Sequence, residues 1–306
     1  MASPSRAAGP PRVALCITGT WRTFVDPDVH RSLAENVSAA LAAEGAEVGH
    51  FFLIDSAGTP LRDVLPGLEA VPPRVLQLGT PPLKAPPCLR TVWAHTANFV
   101  QWGQVTQCFN LVLEDERVSE RRWDWVVRTR ADIHFAHPLR PAQAYDPGFM
   151  HVPRLLDVFF TADVVLWGIR QIVPILNEQF FLVPRGLVGR CLRVLGDFCP
   201  ESSEAMHVAW TPFLEYTILY RLLREGVPLR FLEFADNSTD APGFHVKRRG
   251  KTELEEHLLP GPKAAPQMHE SRYRQLLRAQ PGAFGNGSVG VMPLHLHGGA
   301  PGARAW

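Results

Sequence analysis

Two arginines and an acid at alternating positions, Arg128, Arg130 and Asp132, lie within Trp123-Asp-Trp-Val-Val-Arg-Thr-Arg-Ala-Asp-Ile-His-Phe135. The run Trp125-Val126-Val127 reads as a buried strand, and side chains two apart on a strand share a face. A strand that delivers two guanidinium groups and a carboxylate to its end is poor core-building. It suits an anionic ligand, above all a diphosphate, because guanidinium pairs with phosphate through planar two-point contacts. Asp132 could add a metal ion to that arrangement. The same residues would equally serve an edge strand whose charges are salt-bridged and solvated.

Two further segments put polar groups beside apolar runs. In Thr18-Gly-Thr-Trp-Arg-Thr23, Gly19 permits close backbone approach, the hydroxyls can donate, and Arg22 can meet a phosphate or a carboxylate. The segment is neither a Gly-x-Gly-x-x-Gly fingerprint nor a Gly-x-x-x-x-Gly-Lys phosphate loop, which weakens dehydrogenase and P-loop kinase readings. A glycine turn with surface threonines is the plainer account. In Asn177-Glu178-Gln179, two amides and a carboxylate precede the apolar run Phe180 to Val183. Sugars and other hydroxyl-rich ligands are held by such groups, and a turn satisfying its own backbone uses them too. Glu215 sits in an apolar helical stretch, where pairing with a nearby arginine accounts for it. His295 and His297 have metal-ligand spacing but lie in a glycine-rich tail, where solvated histidines are the ordinary case. No Gly-x-Ser-x-Gly nucleophile motif is present.

The elements that must position these groups follow from periodicity. Arg12 to Thr20 is a continuous apolar run stopping at glycine, as a fully buried parallel strand does. Asp28 to Glu44 has helical spacing and ends at Gly45. Val48 to Ile54 is a strand, Leu61 to Leu68 a short helix, and Arg74 to Leu78 a third strand. Thr80 to Pro87 is a proline-rich loop, Trp93 to Glu116 a long amphipathic helix, and Asp124 to Arg130 the strand carrying the arginines. Short strands are expected near His151-Val-Pro and Asp163 to Ile169, with a loop and strand over Asn177 to Arg185. Helices over Gly186 to Phe198 and Pro212 to Glu225 precede a last strand, Leu229 to Phe234. This alternation predicts an α/β fold: a Rossmann-like, mostly parallel central sheet flanked by helices, in a single domain over 12–235. Residues 1–11 read as a disordered N-terminal segment, and 236–306 as a C-terminal wrap or partly disordered tail. In open α/β sheets ligands sit beyond the carboxyl ends of the strands, where all three polar segments would lie.

Composition narrows the classes. A net charge of +1 over 306 residues, without a basic stripe, argues against nucleic acid as the main partner. The five cysteines are scattered with no Cys-x-x-Cys pair, too sparse for a disulfide scaffold or zinc site. Cys16 reads as a buried thiol inside its strand. No run is long enough to span a bilayer and no signal-peptide core is visible, which reads as cytosolic for the chain as written. Sequons at Asn36, Asn237 and Asn286 point instead to a Golgi or secretory lumen, which would require an upstream anchor outside this chain.

The order of Cys16-Ile-Thr-Gly-Thr-Trp-Arg22, a glutamine-bearing helix (Gln101, Gln104, Gln107), Trp125-Val-Val-Arg-Thr-Arg-Ala-Asp132 and Asn177-Glu-Gln-Phe-Phe-Leu-Val-Pro-Arg185 resembles glycosyltransferase-like proteins with a nucleotide-diphospho-sugar transferase (GT-A type) fold. The resemblance covers roughly Arg12 to Phe234. It implies a nucleotide-sugar donor and a carbohydrate or glycoconjugate acceptor. Gly19, Arg22, Arg128, Arg130, Asn177 and Gln179 would bind the donor and acceptor, and Glu178 would be the base of an inverting transfer. Asp132 would match the last acid of an Asp-x-Asp element holding Mn2+ or Mg2+. Two positions depart from the pattern. Arg130 stands where the first acid is expected, and Glu178 where the loop carries aspartate. The first departure keeps open a non-catalytic member of the same fold that binds a sugar, a nucleotide or a protein. A transferase using a sulfonucleotide or S-adenosylmethionine is a third reading, in which Asp132 has no evident task.

Overall fold

The computed structural model describes residues 9–55, 58–79, 93–153, 156–159, 172–175, 179–191, 222, 225–236 and 244–246. The expected strand at Asp163 to Ile169, the helix at Pro212 to Glu225 apart from Leu222 and Glu225, the loop at Thr80 to Pro87, Glu215, and the histidines at 295 and 297 lie outside the described residues.

Seven strands form the central sheet: β1 (Arg12–Thr20), β2 (Glu47–Asp55), β3 (Pro73–Leu78), β4 (Trp125–Arg130), β6 (Met150–Val152), β9 (Phe181–Pro184) and β10 (Leu229–Phe231). Their order is β10-β6-β9-β4-β1-β2-β3. β3, β2, β1 and β4 pair in parallel. β9 is antiparallel to both β4 and β6, and β10 is parallel to β6. Within this sheet β9 therefore runs against the other six. The mostly parallel α/β architecture expected from the alternating elements is what forms.

Alternation along β1 explains why the sheet needs cover on both sides. Ala14 and Cys16 face one way, with Phe51, Leu53, Val126 and Phe181, and pack on Trp102, Val105, Cys108 and Val112 of the long helix α5 (Trp93–Ser119). Val13, Leu15 and Ile17 face the other way, with Phe52, Ile54 and Val127. They meet α1 (Trp21–Phe24), α2 (Pro27–Ser32), α3 (Ala40–Ala42) and α4 (Leu61–Ala70). Each large apolar side chain buried in these layers contributes about 1.5–3 kcal/mol, so both layers are needed to hold the sheet. Among the described residues, no helix is long and apolar enough to cross a membrane.

The helix expected over Asp28 to Glu44 is not uniform. Between α2 and α3, Leu33–Ala39 is wound as a π-helix, and Ala43–Gly45 closes as a 3-10 turn. The widening occurs where the helix gives its polar groups to another segment. The Asn36 carbonyl accepts the Leu139 N–H at 2.8 Å, and the Asn36 amide donates to the Phe135 carbonyl at 2.7 Å. Ser32 Oγ accepts the Phe135 N–H at 3.0 Å. π-Bulges arise where the regular helical ladder gives way locally. Asn36, read as a sequon, thus has its amide engaged within the fold.

Two small sheets were not anticipated. β5 (Ile133–Phe135) pairs antiparallel with β11 (Phe244–Val246), so part of the expected tail returns beside the arginine strand. β7 (Leu156–Phe159) pairs antiparallel with β8 (Ile172–Ile175). A short helix, α6 (Val188–Cys191), follows β9. The last sheet strand is shorter than expected, ending at Phe231, while Phe234 makes a separate bridge to Leu139.

Candidate functional site at the carboxyl edge of the sheet

β1 and β4 run side by side, with Thr18 opposite Arg130 and Cys16 opposite Arg128. Because β9 is antiparallel, its first residue Phe181 lies opposite Arg128. The end of β1 with Arg22 beyond it, the end of β4 with Asp132 beyond it, and Gln179 just before β9 therefore meet at one edge of the sheet. The topology brings together the first two of the segments singled out by chemistry, with Gln179 of the third beside them. Asn177 and Glu178, immediately before Gln179, lie outside the described residues.

Backbone geometry shapes the end of β1. Gly19 has φ +124°, a conformation side-chain-bearing residues rarely adopt. Here β1 parts from β4 while staying paired with β2, Gly19 opposite Ile54, and the Thr18 carbonyl still accepts the Ala131 N–H at 3.0 Å. Trp21 is buried against Phe24 and Phe52 and anchors the chain there. Its neighbour Arg22 is exposed beyond the strand end.

The two arginines of β4 have different environments. Arg130 binds both oxygens of Asp132, Nε to Oδ1 at 2.8 Å and Nη2 to Oδ2 at 2.7 Å. Both side chains are mostly covered, 27% and 19% exposed. Arg128 was expected on a diphosphate but lies inside the protein, 1% exposed. Its guanidinium carbon sits 5.9 Å from the Trp102 ring centre and 5.8 Å from that of Phe181. Cation–π contacts are worth about 0.5–2 kcal/mol each, against a desolvation cost of several kcal/mol for a buried charge. The rings alone do not balance that cost, and Arg128 makes a further interaction besides them. A ligand arriving at the strand edge would meet Arg130 and Arg22 before Arg128. The role of Trp102 as a wall for Arg128 was not legible in the sequence, where its helical spacing signalled only core.

Asp132, the expected metal ligand, is paired with Arg130 through both carboxylate oxygens. Hard cations take several oxygen ligands. Among the described residues, no group of three or more His, Cys, Asp or Glu side chains is placed to hold a metal ion.

The opposite edge of the sheet is also rich in charge, but its ions bind one another. Arg12 pairs with Glu47 through two bonds of 2.9 and 3.0 Å and lies 4.1 Å over the Trp123 ring. Arg74 binds Asp115 at 2.6 Å, and Asp115 also accepts the Trp123 indole N–H at 3.1 Å. Arg185 binds Glu116 at 2.8 Å. The first pair ties β1 to β2, and the other two fasten the end of α5 to β3 and to the residue after β9. The Arg12 hydrogen bond holds the Glu47 carboxyl below its usual range.

One cysteine expectation is corrected. Cys16, read as a buried thiol, is joined in a disulfide to Cys108 of α5. The partner lies 92 residues away, and no local spacing signals such a pair.

No family model matches the chain, and no curated protein sequence matches it. Solved structures that resemble it include a glycosyltransferase involved in glycosylation of the major capsid of PBCV-1, with 12% identity and TM-score 0.33 over 72% of this chain and 81% of that one. Another is mouse xyloside xylosyltransferase 1 in its apo form, with 9% identity and TM-score 0.35 over 74% of this chain and 85% of that one. At such scores neither carries an argument, and the α/β assignment stands on strand order and pairing.

Proposed function

We propose that this protein is a glycosyltransferase that moves a sugar from a nucleotide-diphosphate donor to an acceptor hydroxyl. The observation that supports the reading is convergence: the ends of β1 and β4 and the start of β9 are neighbours at one sheet edge. Such an edge is where α/β sheets bind ligands, and this one carries guanidinium groups and an amide. The diphosphate would lie across Gly19, with Arg22 and Arg130 offsetting its charge and Arg128 adding positive potential from beneath. As the bond from the sugar to the diphosphate breaks, positive charge near the leaving oxygen lowers the barrier. Gln179 and Asn177 would hold sugar hydroxyls. In an inverting transfer Glu178 would take the acceptor proton as the new glycosidic bond forms. No step is assigned to a metal; Asp132 would hold one in competition with its pairing to Arg130.

A second reading, a non-catalytic protein that binds a sugar or nucleotide at the same edge, is favoured by the Arg130–Asp132 pair, which neutralises itself without a ligand. A panel of nucleotide-sugars separates the two. The full chain is incubated with each donor, with and without Mn2+, and followed by thermal shift and by release of nucleoside diphosphate. Stabilisation with release supports the transferase, and stabilisation without release under any acceptor supports the binding protein. No stabilisation by any donor or nucleoside diphosphate removes both.

A further inference from the structure

We infer that the Cys16–Cys108 disulfide is a permanent structural tie made in an oxidising compartment, and that this protein matures there. The inference is independent of any sugar transfer. Cys16 sits mid-strand in β1, opposite Phe51 of β2 and Arg128 of β4. Cys108 lies on the face of α5 that covers those strands. Their Cα atoms are 5.9 Å apart, within the span a disulfide bridges. The bond therefore joins the middle of the sheet to the helix that roofs it, beside the wall that Trp102 forms over Arg128.

Burial decides between a structural and a cycling bond. Cys16 is 2% exposed and Cys108 is fully buried. Exchange proceeds by attack of an external thiolate on a sulfur, so a sealed bond in the folded protein does not turn over. Among the described residues, the one other cysteine, Cys191, is no ready internal attacker. Burial pushes its thiol up to about 12, which leaves almost no thiolate at neutral pH. The bond must then be made while α5 is still undocked. One thiolate attacks a disulfide oxidant, an oxidoreductase or oxidised glutathione, and forms a mixed disulfide. The second thiolate displaces it, so two protons and two electrons leave the cysteines and the oxidant departs as a dithiol or as two thiols. Reducing compartments oppose this and oxidising ones drive it.

The test compares the full chain made behind a cleavable export signal with the same chain made in a reducing cytosol. Each is denatured in an alkylating agent, digested without reductant and analysed by mass spectrometry. The exported chain is expected to yield a Cys16–Cys108 linked peptide, with Cys191 alkylated. The cytosolic chain is expected to yield both cysteines alkylated and to melt about 5–15 °C lower. Alkylated Cys16 and Cys108 in folded exported protein would overturn the bond. A linked peptide from the cytosolic chain would overturn the requirement for an oxidising compartment. Adding reductant through the exported chain's melt provides a measurement without a variant. Its melting temperature should fall towards the cytosolic value, and an unchanged temperature despite complete reduction would overturn the structural role.

Discussion

Arg130 holds both carboxylate oxygens of Asp132, two residues along the same chain, at 2.8 and 2.7 Å. One short turn thus supplies both a cation and its counter-ion at the edge where β1, β4 and β9 meet. The pair gives Arg130 a fixed direction, and it places a guanidinium where a metal-dependent site would need an open carboxylate.

This arrangement makes Asp132→Asn informative. If guanidinium carries the diphosphate, the variant releases Arg130 from a competing anion, and affinity for uridine or guanosine diphosphate should hold or rise. If Asp132 instead carries a metal, Mn2+-dependent affinity should disappear. Arg130→Ala should weaken diphosphate binding by about ten- to a hundredfold, the value of a hydrogen bond to a charged group. Its effect on stability should stay within about 1 kcal/mol, because the pair is partly exposed. Titration calorimetry with and without Mn2+ reads both variants, and unchanged affinity in Arg130→Ala would remove this residue from the site.

Gly19→Ala tests the end of β1. At φ +124° an added Cβ meets no close atom, with Ala131 N the nearest at 3.8 Å. The cost is therefore backbone strain rather than collision, about 1–3 kcal/mol. Chemical denaturation should show that loss, and a fully stable variant would mean the strand end adapts.

Two buried histidines predict sensitivity to mild acid. Burial lowers the pKa of His50, whose ring nitrogens bond Ser38 Oγ at 2.7 Å and the Pro72 carbonyl at 2.8 Å. Burial likewise lowers that of His151, packed against Trp125 and Tyr145. A folded-state pKa below the unfolded value of 6.5 means the unfolded chain gains protons first as pH falls. Stability contributed by the neutral rings is complete above about pH 6.5 and declines as pH falls below it. Urea melts at pH 7.5 and 5.5 should differ, and His50→Gln should reduce the difference. Equal midpoints for the wild type at both values would contradict this.

Arg12→Met separates scaffold from site. Arg12 binds Glu47 and covers Trp123 at the edge remote from Arg130, so its loss should cost about 1–3 kcal/mol and leave diphosphate affinity unchanged. Glu47 has a lowered pKa because of that contact. Its contribution is present above its unfolded value of 4.5 and is lost as pH falls below it. In Arg12→Met that part of acid unfolding should diminish. A fall in ligand affinity matching the fall in stability would show that the two edges are not independent.

The strands that build the site were legible because burial on both faces demands an unbroken apolar run. Arg12–Thr20 and Trp125–Arg130 have that pattern, and both form almost as their residues suggest. The arginines' separate fates were not legible. Arg128 and Arg130 share a face, yet one lies under Trp102 and the other reaches Asp132. The π-helical Leu33–Ala39 was hidden as well. Its apolar spacing is ordinary, and the groups that widen it, at residues 135–139, are a hundred residues away.

What the chain's own residues determined is therefore local and periodic: the α/β class, the strand bodies, and the polar character of each strand end. Tertiary structure decided what depends on neighbours distant in sequence. It set the direction of β9, which brings Gln179 to the arginine edge, and the pairing of Cys16 with Cys108. Hydrophobic periodicity records which side of an element is buried. It carries no information about which distant side chain lies opposite, because that depends on how the packed layers meet.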